Sequence, residues 1–263
     1  MIFFNKSLYT RIGARTLNFF SFFAGITRLG IQTLIQIPAR PYGARRVFEQ
    51  ANKVGINSFP IVSLVSFFIG VILALQTAYI MQKMSSEIYI ASIVAVSLTR
   101  ELGPVITALI VAGRSGAGIT AELGTMTVTE QVDALQTLGS NPIKYLVVPR
   151  FLALTVMMPV LTIFANAIGI FGGYLIAVYR LSIRSSLYMN MTFQTLVYKD
   201  LFTGLTKTVF FGMIIAIVAC LEGLNVKGGA EGVGKATTRS VVNTFILIIA
   251  ADCFFTALFY FLE

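Results

Sequence analysis

Ile88-Tyr-Ile-Ala-Ser-Ile-Val-Ala-Val-Ser-Leu-Thr-Arg100-Glu101-Leu-Gly-Pro-Val-Ile-Thr-Ala-Leu-Ile-Val-Ala-Gly113 is an apolar stretch of helix length with two opposite charges near its midpoint. A membrane-crossing helix needs about 20 predominantly apolar residues. A charge at the bilayer centre costs roughly 2.5–3.5 kcal/mol on insertion scales, and such charges mark functional sites by default. The stretch therefore reads as a transmembrane helix, with Arg100-Glu101 as the first candidate site. Adjacent helix positions point about 100° apart, so each charge needs its own partner. Pro104 cannot donate to the carbonyl of Arg100, which places a kink beside the pair.

Outward from this stretch the composition is uniform. The 263 residues are 56% hydrophobic and only 12% charged, against about 25% charged in a soluble domain, and the mean hydropathy is +0.83. No polar stretch is long enough to bury a core of its own. Four further spans are expected, at about 58–81, 151–179, 201–222 and 240–262. The fold class is thus an all-α membrane protein with about five transmembrane helices and one permease domain over 54–263. The absence of histidine removes the commonest general base and transition-metal ligand. Cys220 and Cys253 fall in apolar spans and read as small packing residues. No cofactor or metal is expected.

Orientation follows from the basic residues. With the N-terminus cytoplasmic, the opposite side holds only Lys83, Arg180, Arg184 and Lys199. Arg100 and Lys207 lie in the membrane, and the rest of the 20 Lys and Arg are cytoplasmic. The positive-inside rule favours this topology, with an outward C-terminus. The net charge of +9 is then a topology signal and an affinity for anionic headgroups. Nucleic-acid binding is the weaker reading, since the cations are dispersed.

Residues 1–53 carry Lys6, Arg11, Arg15, Arg28, Arg40, Arg45, Arg46 and Lys53 against a single acid, Glu49. Helical spacing of Arg11, Arg15 and Asn18 and of Arg28, Gln32 and Gln36, with Phe and Leu between, predicts one or two helices lying in the interface. A cleaved signal peptide does not fit, because the cations are spread out and no cleavage site follows a compact apolar core.

The long connection after Gly113 contains Thr127-Val-Thr-Glu130, the spacing of a capping box, with Gly139 as a helix stop and Pro142 beyond. A short amphipathic helix is expected, with Val128, Val132 and Leu135 on one stripe and Glu130 and Asp133 elsewhere. Either a partner or the protein's own surface could cover the stripe. Gly229-Ala-Glu-Gly-Val-Gly-Lys235 matches most of a phosphate-binding loop, but Ala236 stands where Ser or Thr would hold magnesium, and no βαβ unit surrounds it. Its glycines read as a flexible loop before the last helix. Asp252, halfway along the fifth span, is a candidate partner for Arg100. Lys207 is placed near a helix end, where it can snorkel. Ala165, Gly169 and Gly173 have the small-xxx-small spacing of close helix packing.

Ser97-Leu-Thr-Arg-Glu-Leu-Gly-Pro-Val105, Ala112-Gly-Arg-Ser-Gly-Ala-Gly118, Ala121-Glu-Leu-Gly-Thr-Met126, Thr129-Glu-Gln-Val-Asp-Ala-Leu135 and Ala236-Thr-Thr-Arg239 resemble the MlaE family. Its members are permease subunits of ABC-type phospholipid transporters in Gram-negative inner membranes and plastid (chloroplast) inner envelopes. The resemblance runs from about residue 50 to the C-terminus. It implies a homodimer with no ATPase site of its own, bound to a cytoplasmic ABC ATPase subunit and to an outer MCE-domain lipid-binding protein. It makes the segment at about 121–138 similar to the family's coupling helix, with Glu122, Glu130 and Asp133 as ATPase contacts. It puts Leu73, Gln76, Arg100 and Glu101 beside a lipid cavity, and Arg239 at the foot of the last helix. The alternative is a proton-coupled secondary transporter using Glu101 or Asp252, weakened by the lack of an evident internal repeat.

Overall fold

A computed structural model describes residues 6–38 and 43–262 of the chain. The expectations for Arg11, Arg15, Asn18 and Arg40 fall on side chains outside that description. The elements are α1 (Lys6–Gln36), α2 (Ala44–Lys83), α3 (Glu87–Val128), α4 (Gln131–Thr137), α5 (Ile143–Tyr179), α6 (Ser185–Thr195), α7 (Tyr198–Leu224) and α8 (Gly229–Leu262). Among the described residues there is no strand. Five helices, α2, α3, α5, α7 and α8, are long and apolar enough to cross a membrane. The protein is an all-α, multi-pass membrane protein.

The helices run alternately between two ends, one bearing the turn at Gly139 and the other bearing α6. Every expected span lies inside one of these helices, and each helix runs on beyond it. The extension is largest in α2, which starts at Ala44 and passes unbroken through residue 53, and in α8, which starts at Gly229. The glycine-rich segment before the last span is therefore helix and not a flexible loop. Lys235 pairs there with Glu231 at 2.6 Å, one turn away, which supports the helix at its exposed start.

Close backbone contact holds the centre together. Lipid offers helices no hydrophobic drive to associate, so small residues that let backbones approach are the main adhesive. A Cβ on Gly70 of α2 would fall onto the carbonyl oxygen of Gly169 of α5, and Gly173 lies next to the Gly70 carbonyl. Around this seam one apolar core joins α2, α3, α5 and α7 through Val62, Val111, Leu154, Phe211 and Ile215. The helix α1 packs on α7 where Gly25 meets Leu221 and Gly30 meets Ile217. Its other face leaves Leu17, Phe19, Phe20 and Ile35 exposed, the composition of a surface that lies against lipid.

The capping box is corrected. Thr127 lies inside α3, where its hydroxyl donates to the carbonyls of Leu123, at 2.9 Å, and of Gly223 in α7, at 3.2 Å. Glu130 instead precedes α4, in left-handed backbone at φ 59. The tie to Gly223 carries α3 four residues beyond where a cap at Thr127 would start a new helix, so the 121–138 segment is two helices meeting at Thr129-Glu130. The stop at Gly139 has a physical basis. At φ +73, its N–H donates to Gln136 and that of Ser140 to Leu135, the paired bonds of a Schellman closure.

Candidate functional site

Three π turns interrupt the helices, at Leu98–Leu102, Ala112–Gly116 and Ile143–Val147. Such turns recur at functional sites. The first carries the charged doublet: the Gly103 N–H donates to Leu98, five residues back, just before the proline that can donate nothing. At the same place α7 comes within backbone contact of α3, since a Cβ on Gly204 would fall onto the Thr99 carbonyl oxygen. A glycine is thus required opposite the doublet, and the approach brings the polar start of α7 to it.

Two ion-pair systems result. Lys207 of α7 is 1% exposed. Its Nζ lies 2.6 Å from Glu101 Oε2 and 3.0 Å from Asp252 Oδ1 of α8, and it donates to Thr256 Oγ1 at 2.7 Å. The Thr256 hydroxyl lies 3.2 Å from Glu101 Oε2. Asp252 Oδ1 has no hydrogen bond of proper direction, so its contact with Lys207 is coulombic. Arg100 Nε lies 3.5 Å from Asp200 Oδ1, and Asp200 Oδ2 accepts from the Val197 N–H at 3.3 Å.

This arrangement differs from the expected one in two respects. Asp252 goes to Lys207 and Arg100 takes Asp200, so the pairing of Arg100 with Asp252 is replaced. Lys207 does not snorkel; it is the buried centre of the cluster. Two carboxylates converge on its ammonium, and a buried cation reaches such a position only when paired. Lys207 and Asp200 were missed as site residues. Lys207 had been assigned by its distance from a helix end, and Asp200 lies just outside the apolar run that defines the span.

A cavity of about 410 Å³ opens on this cluster, lined by Val96, Arg100, Glu101, Lys207, Phe259 and Tyr260 among others. The side chains of Arg100 and Glu101 remain 31% and 39% exposed in its wall. Leu73 is part of the neighbouring apolar cluster with Val94, Leu98 and Leu102, and Gln76 is exposed on α2; neither lines the cavity. Arg239 is not at this cavity. It lies toward the Gly139 end, 3.6 Å from Glu222, in a basic pocket with Lys227 and Lys235.

At the Gly139 end, Glu122 turns onto the buried Arg150 at 3.0 Å and reaches Lys53 at 4.0 Å. Arg150 also donates to the Leu146 carbonyl at 3.0 Å. Glu122 thereby ties α2, α3 and α5 together. Glu130 and Asp133 are exposed, while Val132 and Leu135 of the same helix pack on the core. The stripe of α4 is covered by the protein itself, and its acids face outward. On α6, Tyr188 is buried with an unpartnered hydroxyl, and burial pushes its phenol well above the usual tyrosine range.

The fold and the site define a polytopic helical membrane protein whose spans enclose a charged cavity. Comparison with known proteins makes the class specific: the family model Permease MlaE matches residues 47–258, and the chain belongs to that family. A probable ABC transporter permease protein of Rickettsia felis is 43% identical over 249 residues, 95% of this chain and 96% of that protein. The intermembrane phospholipid transport system permease protein MlaE of Haemophilus influenzae is 34% identical, covering 91% of this chain and 93% of its own length. A probable ABC transporter permease protein of Pyropia yezoensis is 35% identical over 88% of each.

Proposed function

We propose that this chain is the permease subunit of an ABC transporter that moves phospholipid between membranes, driven by ATP hydrolysis in a separate subunit. Membership of the MlaE family and the relatives' names support the class. The observation that carries the mechanism is the exposure of Arg100 and Glu101 at bilayer depth. Charges there are tolerated when they face a protein-lined or water-filled chamber, so a second copy of the chain closes the cavity and makes a homodimer. The chamber combines a guanidinium, which suits a phosphate, with the aromatic wall of Phe259 and Tyr260, which suits acyl chains.

In this account the N-terminus is cytoplasmic or stromal, α1 lies in the interface, and the Gly139 end meets the ATPase. Residues 1–53 act as the interfacial region and 54–263 as the permease domain. Glu130 and Asp133 present a negative surface to the ATPase, and Glu122 stiffens the base from which α4 projects. Closure of the ATPase dimer moves that base, and the motion reaches the cavity through α3, which carries Arg100-Glu101 on one end and leads into α4 at the other. An MCE-domain protein on the outer side receives or delivers the lipid. The chain itself holds no ATPase site.

Lipid co-purification tests the role of the cavity. Native mass spectrometry of Arg100→Ala should show reduced phospholipid occupancy while the complex with the ATPase still assembles. Unchanged occupancy would remove Arg100 from the lipid site.

A further inference from the structure

A second and larger cavity, about 640 Å³, lies at the other side of the Arg100 turn, between α5, α6 and the start of α7. Ile163, Phe171 and Phe193 form its rim and are exposed on the bundle surface. Thr99, Asn166 and Thr192 belong to its wall and are 1%, 5% and 3% exposed. Thr99 Oγ1, Asn166 Oδ1 and Thr192 Oγ1 all lack a hydrogen-bond partner in the protein. No Lys, Arg, Asp or Glu lines the cavity.

Each unsatisfied buried polar group is destabilising, and native structures keep few of them. Three around one cavity, away from the charged cluster, mark a place where a ligand supplies the missing partners. The size is within the range of about 300–1,000 Å³ typical of small-molecule sites. A docked helix does not fit: at about 10 Å across, two turns already need roughly 850 Å³. An anionic headgroup does not fit either, because nothing in the wall neutralises it.

We propose that this cavity is a second lipid site, which takes the acyl chain of a neutral amphiphile whose hydroxyl or ester group hydrogen-bonds to Thr99, Asn166 and Thr192. The chemical class is that of a monoacylglycerol. The chain enters from the bilayer between Ile163, Phe171 and Phe193, and its polar end reaches the inner wall. Thr99 is next to Arg100 and Leu201 of the same wall is next to Asp200, so an occupant braces the Arg100–Asp200 pair from behind. The site does not depend on the transport reading, since it is built from different residues and different chemistry.

The test uses the full chain in nanodiscs and two probes with a diazirine at the same acyl position, a monooleoylglycerol and a phosphatidylglycerol, with crosslinks mapped by mass spectrometry. The monooleoylglycerol should label α5 and α6 near Ile170 and Met189, with excess unlabelled monooleoylglycerol abolishing the signal. Ala167→Trp, which fills the cavity, should weaken this labelling about tenfold, the equivalent of 1.4 kcal/mol, and leave labelling at Phe259 and Tyr260 by phosphatidylglycerol unchanged. Thr99→Val with Thr192→Val removes two hydroxyls with little change in shape. It should weaken monooleoylglycerol but not its dimethyl ether, which cannot donate. Equal labelling by both probes at α5 and α6, or labelling that survives Ala167→Trp, overturns the proposal. Loss of labelling at Phe259 and Tyr260 alone would instead count against the transport cavity.

Discussion

Lys207→Met is the most informative single change in this protein. It keeps the length of the side chain and its apolar stem while deleting the charge that Glu101 and Asp252 share. Removing one partner of a buried pair costs about 3–5 kcal/mol because the other charge is left uncompensated. Here the remaining side chains are 39% and 20% exposed, so screening lowers the loss to about 2–3 kcal/mol. At roughly 2–4 °C per kcal/mol for a chain of this size, the unfolding midpoint should fall by about 4–12 °C. The protein has no tryptophan, but the thiol of Cys220 is free and buried while that of Cys253 is exposed. A thiol-reactive dye in a Cys253→Ala background therefore reads unfolding through Cys220. The triple variant Glu101→Gln, Lys207→Met, Asp252→Asn should recover more than half of the loss, since it removes the repulsion along with the cation. A Lys207→Met midpoint equal to that of the parent would refute the reasoning, as would a triple variant no better than the single one.

Other consequences separate structural from surface charges. Glu122→Ala leaves the Arg150 guanidinium buried without its carboxylate and should cost about 3 kcal/mol in the same dye assay. Charge reversal at Glu130 and Asp133 should leave that midpoint unchanged and weaken pull-down of the ATPase. Tyr188 has its phenol raised by burial, so the unfolded chain releases this proton first as pH rises. The contribution to stability is complete below about pH 10 and is lost above it. Tyr188→Phe should accordingly resist alkaline unfolding better than the parent in a melting series from pH 8 upward, and be neutral or stabilising at pH 7 because the hydroxyl has no partner to lose.

The five spans were legible because lipid imposes a length and an apolarity that sequence displays directly. Arg100-Glu101 was legible for the same reason, as a violation of that rule. The partners were not. Asp252 is at similar depth to Arg100, but depth does not fix azimuth, and the close approach permitted by Gly204 brings α7 to the pair first. Lys207 was misjudged because a position near a helix end does not show whether a neighbouring helix covers it. The Thr127–Glu130 spacing satisfies a capping rule, yet that rule presumes a break before the threonine. A tertiary bond from Thr127 to Gly223 keeps α3 going instead. The Gly139 stop was readable since a Schellman closure is local and needs only the glycine's left-handed backbone. The cavity between α5 and α6 left no sequence signal, because its polar wall consists of threonines and an asparagine spread over three helices.

The central claim is that ATP hydrolysis in another subunit drives phospholipid movement through this chain. The direct measurement is phospholipid transfer between vesicles, with the chain reconstituted alongside its ATPase and MCE-domain partners. Transfer should require ATP, stop with a hydrolysis-dead ATPase, and persist when the pH gradient is collapsed. Transfer that continues without ATP and follows the pH gradient would contradict the account and favour proton coupling through Glu101 or Asp252.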